Sequence, residues 1–261
     1  MSLPEAQDDE SYETILGIRF FNGTAAGAVE YISRVGGYVV VPAAPALVKL
    51  RYDPDFRDAI AQADLAIADS GLMVLLWRFL GHRKIARLSG LTYLKGLLES
   101  SALRGTRQSF WIMPSDSAQR KALAWLVEEG FNVDLDDFYV APRYGAIVSD
   151  RELLDKIERH KAKHIIIAIG GGPQEKLGRC LRDNLSYRPA IHCIGAALGF
   201  LTGDQVPIPN WADRFYLGWL LRLFAQPRIF IPRLARALEL PWLIARYGSE
   251  LPPLKHRGSD V

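Results

Sequence analysis

The chain reads as an α/β protein: a parallel sheet with helices on both faces, plus a C-terminal helical appendage. Three observations carry this reading. Short apolar runs rich in β-branched residues alternate with helix-length stretches from Ile15 to Ile194, the pattern of a buried parallel sheet with crossover helices. One such run, in HIIIAIGGGPQEKL (His164–Leu177), ends in three glycines and a polar pair able to open a helix. After Pro207 the alternation stops, and arginines interleave with aromatic and aliphatic residues.

The elements follow in order. Ile15–Phe20 reads as a strand, and Thr24–Ser33 as a helix after the Asn22-Gly23 turn. Tyr38–Val41 reads as a buried strand, and Pro54–Ala63 as a helix with Asp53 as its N-cap. Leu65–Ala68 is a strand ending on Asp69, followed by helices over Gly71–Leu80 and Leu91–Ser100. Ser109–Met113 is a strand, and Ser117–Glu129 a helix capped by Asp116 or Ser117. Val133–Val140 is a weaker strand and Asp150–Lys161 a helix. Ile165–Ile169, Gln174–Asn184 and Ala190–Ile194 complete the pattern as strand, helix and strand. Pro227, Pro232 and Pro241 divide the last part into short helices. The expected organisation is an acidic, disordered N-terminus (1–13), an α/β core (14–206), a basic amphipathic appendage (207–247) and a flexible tail (248–261).

Composition narrows the function classes. The 261 residues are 49% hydrophobic, enough to bury a full core. A net charge of +3 does not suggest a nucleic-acid binder. Two cysteines, Cys180 and Cys193, do not make a disulfide framework and fit a reducing compartment. The N-terminal MSLPEAQDDE lacks the basic and apolar regions of a secretory signal. No apolar run reaches the roughly 18–20 residues of a membrane span. The expected location is therefore the cytoplasm, with contact to a membrane surface left open.

In a parallel sheet, ligands bind beyond the carboxyl ends of the strands. Gly170, Gly171 and Gly172 lie at such an end, before a helix N-terminus whose N–H groups and dipole suit a phosphate. The dinucleotide fingerprint and the P-loop Lys-Ser/Thr are absent, so a plain strand–helix turn is the competing reading. Gln174 and Glu175 are candidates for sugar hydroxyls, or simply for starting the helix. Asp69, between strand and helix, is either a general base or an N-cap. Arg87, in a polar loop, offers a guanidinium fork to a diphosphate, or is simply exposed. Tyr139 and Tyr144 flank Pro142-Arg143 and could give a ring to a base. His160 and His164 straddle a helix end and a strand start, so they do not read as zinc ligands, and no Ser-His-Asp set or serine elbow is legible. Arg214, Trp219, Arg222, Arg228, Arg233 and Arg236 of the appendage fit an anionic membrane interface, with a helical appendage packed on the core as the competing reading.

Together these pieces resemble the WecG/TagA/CpsF family of bacterial glycosyltransferases (glycosyltransferase family 26), from about Ile15 to Tyr247. The residues carrying the resemblance are Ile15-Leu16-Gly17, Asp53-Pro54-Asp55-Phe56-Arg57, Ala63-Asp64-Leu65 and Ala68-Asp69. Arg87-Leu88-Ser89-Gly90 is similar to the family's Arg-x-x-Gly, and Gly170–Gly172 with Gln174-Glu175 to its G-x-P-x-Q-E turn. Trp219, Arg222, Pro227 and Arg228 resemble its C-terminal pattern. The resemblance implies a Rossmann-like fold and an inverting, metal-independent transfer from a UDP-sugar to a polyprenyl-diphosphate-linked acceptor. The reaction would need no cofactor and run at the inner face of the cytoplasmic membrane, in exopolysaccharide, capsule or cell-wall polymer synthesis. It makes Asp69 the catalytic base and gives the appendage the roles of meeting the membrane and closing the site. A homo-oligomer is compatible with it.

The chain departs from the family pattern at several polar positions. Val41 and Ala43 stand where Thr and Asn are usual, and Ser70 follows Asp69 in place of Gly. Gly199 takes the position of an Asp, Pro207-Ile208-Pro209 replaces Arg-Ala-Pro, and Gly218 replaces a Glu. Two readings of the departures stay open: a different donor sugar, or a catalytically silent member that binds a nucleotide or an enzyme partner. A Rossmann-like oxidoreductase is a more distant alternative, disfavoured by the missing glycine fingerprint.

Overall fold

The computed structural model describes residues 11–80, 84–204 and 235–255. The strands are β1 (Tyr12–Ile15), β2 (Ile18–Phe21), β3 (Gly37–Val40), β4 (Leu65–Ile67), β5 (Ser109–Met113), β6 (Phe138–Val140), β7 (His164–Ile167) and β8 (Ala190–Cys193). The helices are α1 (Ala25–Val35), α2 (Ala44–Val48), α3 (Pro54–Ala61), α4 (Gly71–Phe79), α5 (Gly90–Glu99), α6 (Asp116–Glu128), α7 (Arg151–His160), α8 (Pro173–Asn184) and α9 (Leu240–Tyr247). The strands form one sheet in the order β1-β2-β4-β3-β8-β7-β5-β6. Every pairing is parallel except β1 with β2.

The two-residue period of a strand sends alternate side chains to opposite faces, and both faces are buried. Tyr38, Val40, Ala66, Phe110, Ile112, Ile165 and Ile167 point into one core, closed by α2, α3, α4, α7, α8 and α9. Val39, Leu65, Ile67, Trp111, Met113 and Ile166 point into the other, closed by α1, α5 and α6. The central strands are therefore mainly apolar, as their sequences suggested, with Ser109, His164 and His192 the buried polar exceptions.

Several local expectations change. Ile15–Phe20 is not one strand but a hairpin, β1–β2, turning at Leu16 (φ 51°) and Gly17 (φ 75°). Two left-handed residues make the turn type that matches strand twist, but its usual Asn-Gly signature is absent. Tertiary contacts supply the reason: Leu16 is fully buried, and the N–H groups of Leu16 and Gly17 donate to the carbonyls of Gly248 and Ser249. The ordered chain thus already includes Tyr12 and Glu13, inside the segment expected to be disordered. Helix α2 and a following 3₁₀ turn, Lys49–Arg51, were not anticipated. Helix α6 is capped by Ser115, whose Oγ accepts from the Ala118 N–H, rather than by Asp116 or Ser117. Of Val133–Val140 only Phe138–Val140 pairs, after a 3₁₀ turn at Leu135–Asp137.

The C-terminal end is built into the core. Leu240, Leu243 and Ile244 of α9 are fully buried, and α9 packs on α2 and α4. Glu239 accepts from Arg51 (2.8 Å) and from the Tyr52 hydroxyl. Beyond the helix, Pro252 accepts from Arg57, and the Lys255 N–H donates to Arg51. Residues 248–255, expected as a loose tail, are hydrogen-bonded onto the core.

A buried polar chain crosses the sheet. The Tyr93 hydroxyl hydrogen-bonds with His192 Nδ1 (2.6 Å), and His192 Nε2 with His164 Nδ1 (3.1 Å). Burial pushes His164 down from 6.5 to about 4, and His192 well below the usual histidine range. Between these values the unfolded chain binds protons that the fold excludes, so stability falls with pH. Unfolding free energy should be flat in this contribution above pH 6.5 and drop from there toward pH 4, by up to about 1.4 kcal/mol per pH unit per histidine. Urea titrations across that range, comparing wild type with His164→Asn, check it: the variant should have the shallower acid slope.

Candidate active site at the carboxyl rim of the sheet

The carboxyl ends of β4, β3, β8 and β7 lie side by side. Asp69 follows β4 and Gly170–Gly172 follow β7, so about a hundred residues of sequence reduce to three strand spacings, roughly 14 Å. An extended nucleotide diphosphate-sugar covers such a span.

Asp69 does not cap α4. Ser70 does, its Oγ accepting from the Met73 N–H (3.2 Å). The Asp69 carboxylate instead accepts from the N–H of Gly90 (3.0 Å), the first residue of α5, and its carbonyl accepts from Arg87 Nε (2.8 Å). A Cβ on Gly90 would lie 3.2 Å from Val41 Cγ1 and 3.9 Å from the Ile194 carbonyl. The ends of β4, β3 and β8 thus meet the start of α5 at one point. Arg87 is half-buried and belongs to the Asp69 end of the rim, not to the glycine turn. Val41, standing where the family pattern is polar, packs against Gly90, while Ala43 is exposed.

At the other end, Gly172 has φ +105°, a conformation that favours glycine. Its N–H donates to Glu175 Oε2 (2.6 Å), and Gln174 Nε2 donates to Glu175 Oε1 (2.9 Å). Gln174 Oε1 accepts from the Gly195 N–H (2.7 Å), tying α8 to the end of β8. Both side chains are buried and spend these hydrogen bonds on the chain itself, holding the turn in shape. The carboxyl at this helix start is the chain's own, from Glu175. Burial pushes the Glu175 carboxyl upward, against its hydrogen bonds from Gln174 and Gly172 and the charge of Lys49. The surface left to a ligand is the exposed pair Gly170 and Gly171, with Lys49 near the adjoining Gly172. A Cβ on Gly172 would lie 3.1 Å from Lys49 Nζ. Sequence reasoning missed Lys49, because no local pattern links the β3–β4 crossover to a turn over a hundred residues later.

Tyr139 and Tyr144 both donate their hydroxyls to Asp150, the N-cap of α7 (3.1 and 2.7 Å to Oδ2). Burial, with the Asp150 carboxylate beside them, pushes both phenols far up. They therefore hold the rim at β6 and leave only ring surface to a base. Lys176 joins this loop to α8, donating to the Ala146 carbonyl while pairing with Asp53 (2.8 Å). Arg236 is exposed ahead of α9; Arg214, Trp219, Arg222, Arg228 and Arg233 lie outside the described residues. Among the described residues, no helix is long and apolar enough to cross a membrane.

The profile of the Glycosyl transferase WecG/TagA/CpsF family matches residues 13–253, and the chain belongs to that family. A curated relative from Bacillus spizizenii (strain ATCC 23059 / NRRL B-14472 / W23) is named N-acetylglucosaminyldiphosphoundecaprenol N-acetyl-beta-D-mannosaminyltransferase. It is 23% identical over 213 residues, covering 81% of this chain and 79% of the relative.

The two roles of Gln174 can be separated. Gln174→Ala should lower unfolding free energy by roughly 1–3 kcal/mol, because it strands the Gly195 N–H and one side of Glu175. Urea denaturation reads this directly; a residue that served only substrate would leave stability unchanged.

Proposed function

Taking membership of this glycosyltransferase family as the premise, we propose that the chain is an inverting enzyme. It moves a sugar from a UDP-sugar to a polyprenyl-diphosphate-linked acceptor in bacterial exopolysaccharide, capsule or cell-wall polymer assembly. The observation that carries the reading is the shared rim: a held carboxylate, Asp69, at one end and an exposed glycine turn beside Lys49 at the other. The relative's name, with its lipid-diphosphate acceptor, supports the acceptor class.

In the proposed step Asp69 takes the proton of the acceptor hydroxyl as that oxygen attacks the anomeric carbon. The bond to UDP breaks on the opposite face, which inverts the configuration, and UDP leaves with growing negative charge. Groups already fixed on the rim meet that charge without reorganising. These are the backbone at Gly170 and Gly171, Lys49 at the glycine end and Arg87 at the Asp69 end. Gln174 and Glu175 position the turn, and the rings of Tyr139 and Tyr144 border the side where uracil would lie. The step uses no metal and no cofactor. The arginine-rich segment from Pro207 brings the rim to an anionic inner membrane surface. A catalytically silent member is the rival reading; the retained Asp69, bonded to Gly90 at the rim, favours the enzyme.

Asparagine can still accept the Gly90 N–H, so Asp69→Asn should keep fold and UDP binding while losing on the order of 10²- to 10⁴-fold in turnover. Wild-type turnover in that variant would place the base elsewhere. UDP at about 100 times its dissociation constant should stabilise the protein by roughly 2.7 kcal/mol, read by thermal shift. Lys49→Ala should weaken that stabilisation, and a metal chelator should not change turnover.

A further inference from the structure

Helix α4 is apolar on nearly every side. Met73, Val74 and Trp77 fill the core, yet Phe79 is 88% exposed and Leu75 47%. Four residues apart, these two share one face of the helix. Leu80, just past the helix end, is 40% exposed. A surface helix ordinarily turns polar residues outward; the one charged side chain of α4 is Arg78. The neighbouring α9, packed against α4, leaves Trp242 exposed, as is Leu238 just before it.

Two exposed cations stand beside this face, Arg78 on α4 and Lys84 in the loop that Arg78 reaches through the Ile85 carbonyl, and the carboxylate that meets α4, Glu13, is taken up by the indole N–H of Trp77 (2.9 Å). Exposed Leu and Phe with exposed cations beside them is the composition of a helix seated in an anionic bilayer interface.

We infer that the outer face of α4, centred on Leu75 and Phe79, lies in the interface of an anionic bilayer. This contact belongs to the folded core and is distinct from the arginine-rich segment after Pro207. It rests on the lipid-linked acceptor reading for its purpose: α4 starts directly after Asp69, so Phe79, ten residues on, lies within about 15 Å of it. A bilayer against α4 brings the diphosphate of an embedded lipid toward the base.

The test is co-sedimentation of the full chain with phosphatidylglycerol-containing vesicles and with pure phosphatidylcholine vesicles, without substrate. Leu75→Ser combined with Phe79→Ser should lower partitioning at least about tenfold, since both side chains lose apolar burial. Thermal melts monitor its fold. Lys84→Glu, on an exposed loop position, should weaken binding to the anionic vesicles at low salt and leave the neutral ones unchanged. Wild-type partitioning in both variants overturns the inference, as does a wild type that binds no vesicle. So does a double variant that changes only self-association in sedimentation velocity. Transfer assays keep the two readings apart. The double variant should lose transfer to a vesicle-borne acceptor and keep transfer to a water-soluble analogue. Vesicle binding through α4 without transfer to either acceptor sinks the acceptor reading and leaves the membrane contact standing.

Discussion

The N–H of Gly90 reaches the Asp69 carboxylate because Gly90 has no side chain to hold the neighbouring strand ends apart. Around that bond the loop before α5 is laced to β4: Leu88 donates to the Ala68 carbonyl and Arg87 to that of Asp69. Val41 and the Ile194 carbonyl close the other sides. Three strand ends and one helix start are thereby held in a fixed relation. A general base, the role proposed for Asp69, must sit within hydrogen-bond reach of its proton, and the bond from Gly90 fixes where that carboxylate lies. Ser70 makes it possible by taking over the capping of α4, which leaves the Asp69 carboxylate on the rim.

The glycine turn follows a related logic with a different outcome. A helix N-terminus attracts anions, and here Glu175 answers that attraction from inside the chain. Gln174 spans from Glu175 to Gly195 and couples the turn to the end of β8, while Cys193 donates to the Gln174 carbonyl. Polar residues this deeply buried are costly unless fully bonded, and these spend their bonds on the scaffold.

The far end of the chain is part of the same construction. The Arg51–Glu239 pair, the hairpin at Leu16-Gly17 and the buried face of α9 make residues 235–255 a wall of the core, on the side of the sheet that carries α2 and α4. The described chain before Gln205 and after Leu234 is therefore anchored independently, through the Lys121–Asp204 pair on one side and Glu239 on the other.

By itself the sequence determined the α/β class, nearly all the strands and helices, and the rim position of Asp69 and the three glycines. Hydrophobic period, an N-cap such as Asp53, and glycine at a strand end are local signals, and they survive in the folded chain. The family resemblance was legible for the same reason, in short motifs that keep their order. Only the tertiary structure decided what depends on residues distant in sequence. The hairpin at Leu16 needs Gly248 and Ser249; the Asp69 carboxylate, freed from capping α4 by Ser70, bonds Gly90, twenty-one residues on. The inward roles of Gln174 and Glu175 need Gly195, and Lys49 reaches the glycine turn only through the β3–β4 crossover. Each of these is a contact closed across many residues, and a linear pattern carries no distance across the sheet.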